Sequence, residues 1–171
     1  MQPTLNQNVS SEHEKGDIVY INPNKKGDKF DIVVTKHGDI EIIKRLVGTP
    51  GDKIQIVKDV DCYRLIVNNN QVYSRPFNLL TNSYYERYLT FVDNPDNQEN
   101  IKIDSENSKL ITLGDDQYFV MGDNWGKTDD SLVYGTFSSS QIVGKVDWII
   151  KQGENKFVST TKFMFYFIFK M

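Results

Sequence analysis

A mainly β fold is what the sequence predicts, and three observations carry that expectation. Alanine, the best helix former, is absent from all 171 residues. Val, Ile and Thr, which favour a pleated backbone, number 41. Short apolar runs are separated by turn residues along most of the chain, the pattern of a closed or partly closed β-barrel-like domain. The high Asn, Lys, Ile and Tyr content has a second reading, AT-rich coding, which composition alone does not separate from fold preference.

Gly16–Ile21 reads as a first strand entered through a turn, followed by a Pro/Gly/Asn/Lys loop at Asn22–Gly27. Phe30–Thr35 and Asp39–Val47 are the next strands, joined by a hairpin at Lys36-His37-Gly38. Thr49-Pro50-Gly51-Asp52 is a tight turn. Lys53–Val57, Tyr63–Val67 and Gln71–Ser74 follow as strands, with Asn68-Asn69-Asn70 as a hairpin turn because Asn tolerates positive φ. Pro76–Asn107 is polar, Asn-rich and without clean alternation, and reads as an inserted lobe. Ser108–Thr112, Gln117–Met121 and Val143–Ile150 are further strands, and Asn124–Gly135 is a loop. The expected organisation is a β core from residues 1–75 and 108–150, a lobe at 76–107 and an apolar C-terminal segment at 151–171. Phe163–Phe169 is too short to cross a bilayer, which takes ~20 apolar residues. It is either a last core strand or a segment that dips into a membrane surface.

Charge and composition narrow the function. A net charge of −3 argues against nucleic acid, which calls for a basic face. One cysteine, Cys62, rules out an internal disulfide framework and a cysteine-rich zinc site. Two histidines, His13 and His37, leave little for a His-based metal centre or a Ser-His-Asp triad, so no metal and no cofactor is expected.

Lys44 stands out by position. Side chains alternate along a strand, so Ile40, Ile42, Lys44 and Leu46 share one face, and Glu41, Ile43, Arg45 and Val47 the other. A lysine in an aliphatic row either snorkels to the rim or is desolvated, with a lowered pKa that suits a general base. Gly122-Asp123-Asn124, with Thr128, Asp130, Ser131 and Gly135, follows an apolar strand. Such a loop can orient a lysine amine, or it is an Asx/Ser turn cluster or a weak cation site.

The run Lys44-Arg45-Leu46-Val47-Gly48-Thr49-Pro50-Gly51-Asp52 resembles the lysine box of bacterial type I signal peptidases, membrane-bound serine proteases with a Ser-Lys dyad. Lys29–Val34 resembles the strand that precedes that box, and Leu65–Asn68 through Arg75-Pro76 a hairpin that follows it. Gly122-Asp123-Asn124, Thr128, Asp130-Ser131 and Gly135 are similar to the family's last box, and the resemblance spans roughly residues 1–150. It implies a signal-peptidase/LexA-like β-barrel-type catalytic core with a smaller inserted lobe. By position it makes Lys44 the general base, with Thr128 bonding its amine and Asp130 and Ser131 supporting the dyad. Arg45, Gly48, Pro50, Gly51, Asp52, Gly122, Asp123, Asn124 and Gly135 are then structural motif positions. Met1, Pro3 and Thr4 are the remnant of the nucleophile box and would touch substrate. The implied partners are the signal-peptide region of exported preproteins and the membrane surface. The implied location is the cell membrane, with the catalytic domain on the extracytoplasmic side.

Two kinds of position depart from the pattern. Trp125 and Leu132 stand where the family usually has arginine, leaving Asp130 without a charged partner and the loop's stability in question. The family's nucleophilic serine falls one residue ahead of Met1, and Ser10 and Ser11 fit no family position. The expectation is that the 171-residue chain by itself does not cut preproteins and that its serine and anchor lie upstream. The competing expectation is an inactive relative that binds exported proteins during surface-structure assembly. A soluble self-cleaving Ser-Lys regulator and a plain β-rich binding domain are the remaining alternatives.

Overall fold

The computed structural model describes residues 5, 16–100, 102–104 and 109–151. In chain order the strands are β1 (Ile18–Asn22), β2 (Ile32–His37), β3 (Ile40–Gly48), β4 (Lys53–Lys58), β5 (Cys62–Val67), β6 (Asn70–Pro76), β7 (Lys102–Asp104), β8 (Leu110–Thr112), β9 (Phe119–Met121) and β10 (Ile142–Ile150). The helices are α1 (Leu79–Asp93), α2 (Pro95–Asn100) and α3 (Ser131–Tyr134), with a 3-10 turn at Ser139–Gln141. The strands form two antiparallel five-stranded sheets, ordered β1-β10-β2-β3-β9 and β6-β5-β4-β8-β7. The mainly β class read from the sequence is the class of the structure.

Alternation decides what each sheet buries. In β4 and β5, Ile54, Ile56, Tyr63, Leu65 and Val67 point into the larger core. Each such side chain contributes roughly 1.5–3 kcal/mol by leaving water. Val47, Phe119 and Met121 join them from the first sheet. A smaller core holds Val33, Leu46, Val120, Phe137 and Ile142. β3 is therefore a wall between two cores, with Leu46 facing one and Val47 the other.

Residues 76–107, read from the sequence as a lobe without assigned secondary structure, carry α1, α2 and β7. Asn78 caps α1, accepting from the N–H groups of Leu80 and Thr81, and Thr81 Oγ1 accepts from the Asn78 N–H. Such a cap stabilises a helix by about 1 kcal/mol. Tyr84, Tyr88, Phe91 and Val92 recur at helical spacing and pack into the larger core. Tyr63 stacks on Tyr85, which fixes the helix against the second sheet.

The connections follow local chemistry. Asn68 and Asn69 take φ of 50° and 66°, the pair of positive angles that a two-residue hairpin turn needs. The β2–β3 hairpin turns at Gly38-Asp39, so the strand runs to His37, further than the sequence suggested. β8 and β9 begin later than expected, at Leu110 and Phe119. The loop expected over Asn124–Gly135 contains the short helix α3. Among the described residues no helix is long and apolar enough to cross a membrane. The expectations for the C-terminal segment beyond Lys151 lie outside the described residues.

Candidate functional site

Lys44 is half-buried near the middle of β3, directly across from Val33 of β2 and flanked along its own face by Ile42 and Leu46. Burial pushes its amine below the usual lysine range, while Asp130, Asp129 and Asp123, in that order, pull it back up. A depressed lysine gives up its proton at a lower pH than an exposed one, which is what a general base requires.

Asp130 is fully buried, and its carboxylate accepts from the Gly122 N–H at 3.0 Å and from the Tyr84 phenol at 2.8 Å. It also caps α3 by accepting from the Leu132 N–H at 3.1 Å. Burial raises its pKa, and these hydrogen bonds oppose the rise. Thr128 is buried beside it. The Thr128 hydroxyl is near enough to favour the Asp130 anion, but among the described residues it forms no hydrogen bond of sound geometry. A hydroxyl out of line contributes little.

Gly122 makes this packing possible. A Cβ there would lie 2.0 Å from Thr128 Oγ1 and 2.5 Å from Thr128 Cβ. Only glycine lets the strand end pass so close to the loop. Ser131 is also fully buried, and its Oγ accepts from the Val120 N–H at 2.9 Å, so it ties the loop to β9. Asn124 turns the loop by accepting from the Gly126 N–H, and Gly135 ends α3 with φ of 78°.

Arg45, on the opposite face of β3 from Lys44, forms a two-pronged ion pair with Asp123 at 2.8 and 2.7 Å and donates to the Phe30 carbonyl. This pair joins β3 to the loop that carries Asp130. The rest of the lysine run is a buckle between the sheets. Asp52 accepts from the Thr49 N–H and hydroxyl, from Lys29 Nζ at 2.9 Å and from Asn68 Nδ2 at 2.6 Å. Burial opposes its charge, but those partners win and hold the carboxyl below its ordinary range. Gly51, with φ of 82°, and Asp52 bond to Leu113 through their backbones, and Pro50 is exposed at the turn. Gly48 lies where a Cβ would run into Ile54 and Leu113.

Thr128, Asp130 and Gly122 thus pack together, with Lys44 within electrostatic reach of Asp130; Gly48, Pro50, Gly51 and Asp52 form a separate turn. Met1, Pro3 and Thr4 lie outside the described residues. Trp125 and Leu132 are both buried in the larger core, where arginine would have to bring its charge. The doubt about Asp130 is answered from another quarter: Tyr84 supplies the donor, and Arg87 of the same helix donates to the Thr128 carbonyl. Sequence reading passed over both residues, and the helical spacing of Tyr84, Tyr88 and Phe91 was the signal available. Among the described residues no group of three or more His, Cys, Asp or Glu side chains could hold a metal ion.

Residues 1–151 match the family described as signal peptidase, peptidase S26. Signal peptidase I S of Bacillus subtilis (strain 168) is 29% identical over 140 residues, covering 81% of this chain and 59% of that protein. Signal peptidase IB of Staphylococcus aureus (strain Mu50 / ATCC 700699) is 29% identical over 135 residues, with 79% and 59% covered. The chain therefore aligns with 59% of the length of these relatives. A solved signal peptidase I from Enterococcus faecalis V583 is 24% identical, with a TM-score of 0.43, covering 71% of this chain and 97% of that one. A family match from the first residue to the end of β10, running through both boxes around Lys44 and Asp130, makes this chain a member of the signal peptidase family, peptidase S26.

Proposed function

We propose that this chain carries the general-base half of a type I signal peptidase, an endopeptidase that removes signal peptides from exported preproteins by Ser-Lys chemistry. The observation that carries the reading is Lys44: a half-buried amine, depressed by burial, standing near the loop that holds Thr128 and Asp130. In the family pattern the nucleophilic serine stands immediately ahead of the position that Met1 takes here.

In that reaction Lys44 Nζ, in its neutral form, takes the proton from the serine hydroxyl as the serine oxygen attacks the scissile carbonyl carbon. Backbone N–H groups stabilise the resulting oxyanion. As the tetrahedral species collapses, the C–N bond breaks and Lys44 passes its proton to the leaving amine. Water then attacks the acyl-enzyme ester with Lys44 again as base, freeing the serine. Thr128 steadies the lysine amine through its otherwise unpaired hydroxyl. Asp130 fixes the loop and supplies a counter-charge to Lys44 while it is protonated. Ser131 keeps the loop on β9. Met1, Pro3 and Thr4 lie along the substrate. The family works at the membrane, and we put the catalytic side on the extracytoplasmic face, reading extended segments of exported proteins.

The test supplies a serine directly ahead of Met1, together with an upstream membrane anchor, and follows cleavage of a preprotein in detergent or vesicles. Cleavage is expected with an acid limb set by Lys44, and Lys44→Ala is expected to cut kcat by about 1,000-fold or more. A folded serine-bearing protein that does not cleave, or one that cleaves equally well with Lys44→Ala, overturns the proposal. Binding of preproteins without cleavage would favour the assembly-factor alternative.

A further inference from the structure

On the face of β3 that carries Arg45 rather than Lys44, strand β6 and the loop after β9 border a shallow groove. Val47 and Met121 form its apolar lining, with the rings of Tyr73 and Trp125 and the side chain of Arg75 around them. It holds ≈ 230 Å³ of space, part of it open to solvent. Small-molecule pockets begin near ~300 Å³, so this groove suits one side chain of a longer chain better than a whole small ligand.

Its charge is unbalanced. Arg45 and Asp123 are paired with each other by two hydrogen bonds. Arg75 takes part in no ion pair among the described residues. Its guanidinium carbon lies 4.4 Å from the centre of the Tyr73 ring, and its Nη1 donates to the Ser74 carbonyl at 3.1 Å. A guanidinium backed by a ring and tied by one donor to its own strand is held before any ligand arrives, and its other N–H donors still face outward demand. A fixed arginine beside an apolar lining complements a carboxylate next to an apolar side chain.

The strand beside the groove adds a second observation. β6 is the end strand of the second sheet, and among the described residues no strand pairs with its outer edge. Such an edge takes an extended segment through main-chain hydrogen bonds. Tyr73 and Arg75 are two residues apart and share a face of β6. A segment laid along that edge repeats the same spacing, with its residues i and i+2 ~7 Å apart on one face.

We propose that the groove and the β6 edge form a docking site for an extended acidic segment of an exported protein, its apolar side chain against Met121 and Trp125 and a carboxylate two residues away on the Arg75 guanidinium. The site is on the far side of β3 from Lys44, so it holds the partner without taking part in the cut. The choice of an exported protein rests on the signal peptidase reading; the chemistry of the groove does not.

The probes are two capped peptides, acetyl-Thr-Leu-Thr-Asp-Thr-amide and its reverse, acetyl-Thr-Asp-Thr-Leu-Thr-amide. Each is titrated into the 171-residue chain with carbon-13 methionine methyls, and the Met121 signal is read after assignment by Met121→Leu. One of the two is expected to shift that signal saturably. Asn in place of Asp in the peptide is expected to weaken binding at least about fivefold, a comparison that needs no protein variant. Arg75→Gln is expected to bring the Asp peptide down to the level of the Asn peptide, with the other methyl signals unchanged. In the serine-bearing protein, Arg75→Gln is expected to raise KM about fivefold for a preprotein carrying the motif, with kcat unchanged. No Met121 shift at millimolar peptide, equal affinity for the Asn peptide, or full affinity in Arg75→Gln overturns the proposal. So does Arg75-dependent sedimentation with vesicles of phosphatidylcholine and phosphatidylglycerol while neither peptide binds, which would assign the groove to lipid headgroups. Should Lys44→Ala still cleave, the catalytic reading falls while the peptide titrations stand.

Discussion

Gly122→Ala is the sharpest structural perturbation at the site. The added methyl would sit 2.0 Å from Thr128 Oγ1, 2.5 Å from Thr128 Cβ and 3.1 Å from Thr128 Cγ2, so a change of rotamer cannot relieve it. Either the loop or the end of β9 has to move. Overpacking of that kind costs about 1–3 kcal/mol. Movement also strains the bond from the Gly122 N–H to the buried Asp130 carboxylate, and a hydrogen bond to a charged group contributes about 1.5–3 kcal/mol. The expected loss is therefore about 2–5 kcal/mol, read as the drop in unfolding free energy from urea titration at constant m. Thr128→Ala removes two of the three clashing atoms and leaves the Cβ contact, so the double variant is expected to recover part of the loss. A Gly122→Ala cost below about 0.5 kcal/mol, or strict additivity with Thr128→Ala, would falsify the close approach on which the site description depends.

Three further outcomes follow from the same geometry. Lys44→Met is expected to stabilise the fold at pH 7: a lysine depressed in the folded state binds its proton less well there than when unfolded, so its penalty is full below the folded pKa. That penalty fades as pH rises through the folded pKa toward the unfolded one, so the gain should shrink between neutral pH and pH ~10.5, and a gain that grows with pH would contradict the burial argument. Asp123→Ala leaves Arg45 without its two-pronged partner in a pair whose side chains are 17% and 4% exposed; a loss of about 3–5 kcal/mol in chemical denaturation is expected, and a loss under 1 kcal/mol would mean the pair is solvated. Asn69→Gly, at φ of 66°, is expected to raise stability by a few tenths to about 1 kcal/mol in the same assay, and any destabilisation would count against the two-residue turn.

What the sequence revealed and what it hid follow from the range of the interactions. The hairpins at Gly38 and at Asn68-Asn69 are decided by the φ angles those residues tolerate, so they were legible locally. The two faces of β3 were legible for the same reason: alternation alone puts Lys44 with Leu46 and Arg45 with Val47. α1 was hidden because its composition is poor for a helix, with three tyrosines and two threonines among its 15 residues and no alanine. Its stability comes from burying Tyr84, Tyr88, Phe91 and Val92 against the second sheet, and no local propensity reports that contact. The strand Lys102–Asp104 escaped notice because three residues give no measurable period, and its pairing to β8 is the reason it is a strand.

The lysine box and the Gly-Asp-Asn box are 70 residues apart in the chain, yet the Arg45–Asp123 pair binds the first directly to the second. Tyr84 and Arg87 add a third anchor, from a helix that lies outside both boxes. The residues that replace the arginines, Trp125 and Leu132, are buried with apolar neighbours, and Trp125 stacks on Tyr84 itself. An arginine at position 125 or 132 would bring a charge into that core, and even opposite the buried Asp130 the cost of desolvating it offsets much of what the pair gains. The apolar departures and the tyrosine donor are therefore parts of one arrangement: α1 covers the loop with an aromatic face, Trp125 stacks on that face, and the phenol of Tyr84 gives Asp130 a neutral donor where the family pattern has a charged one.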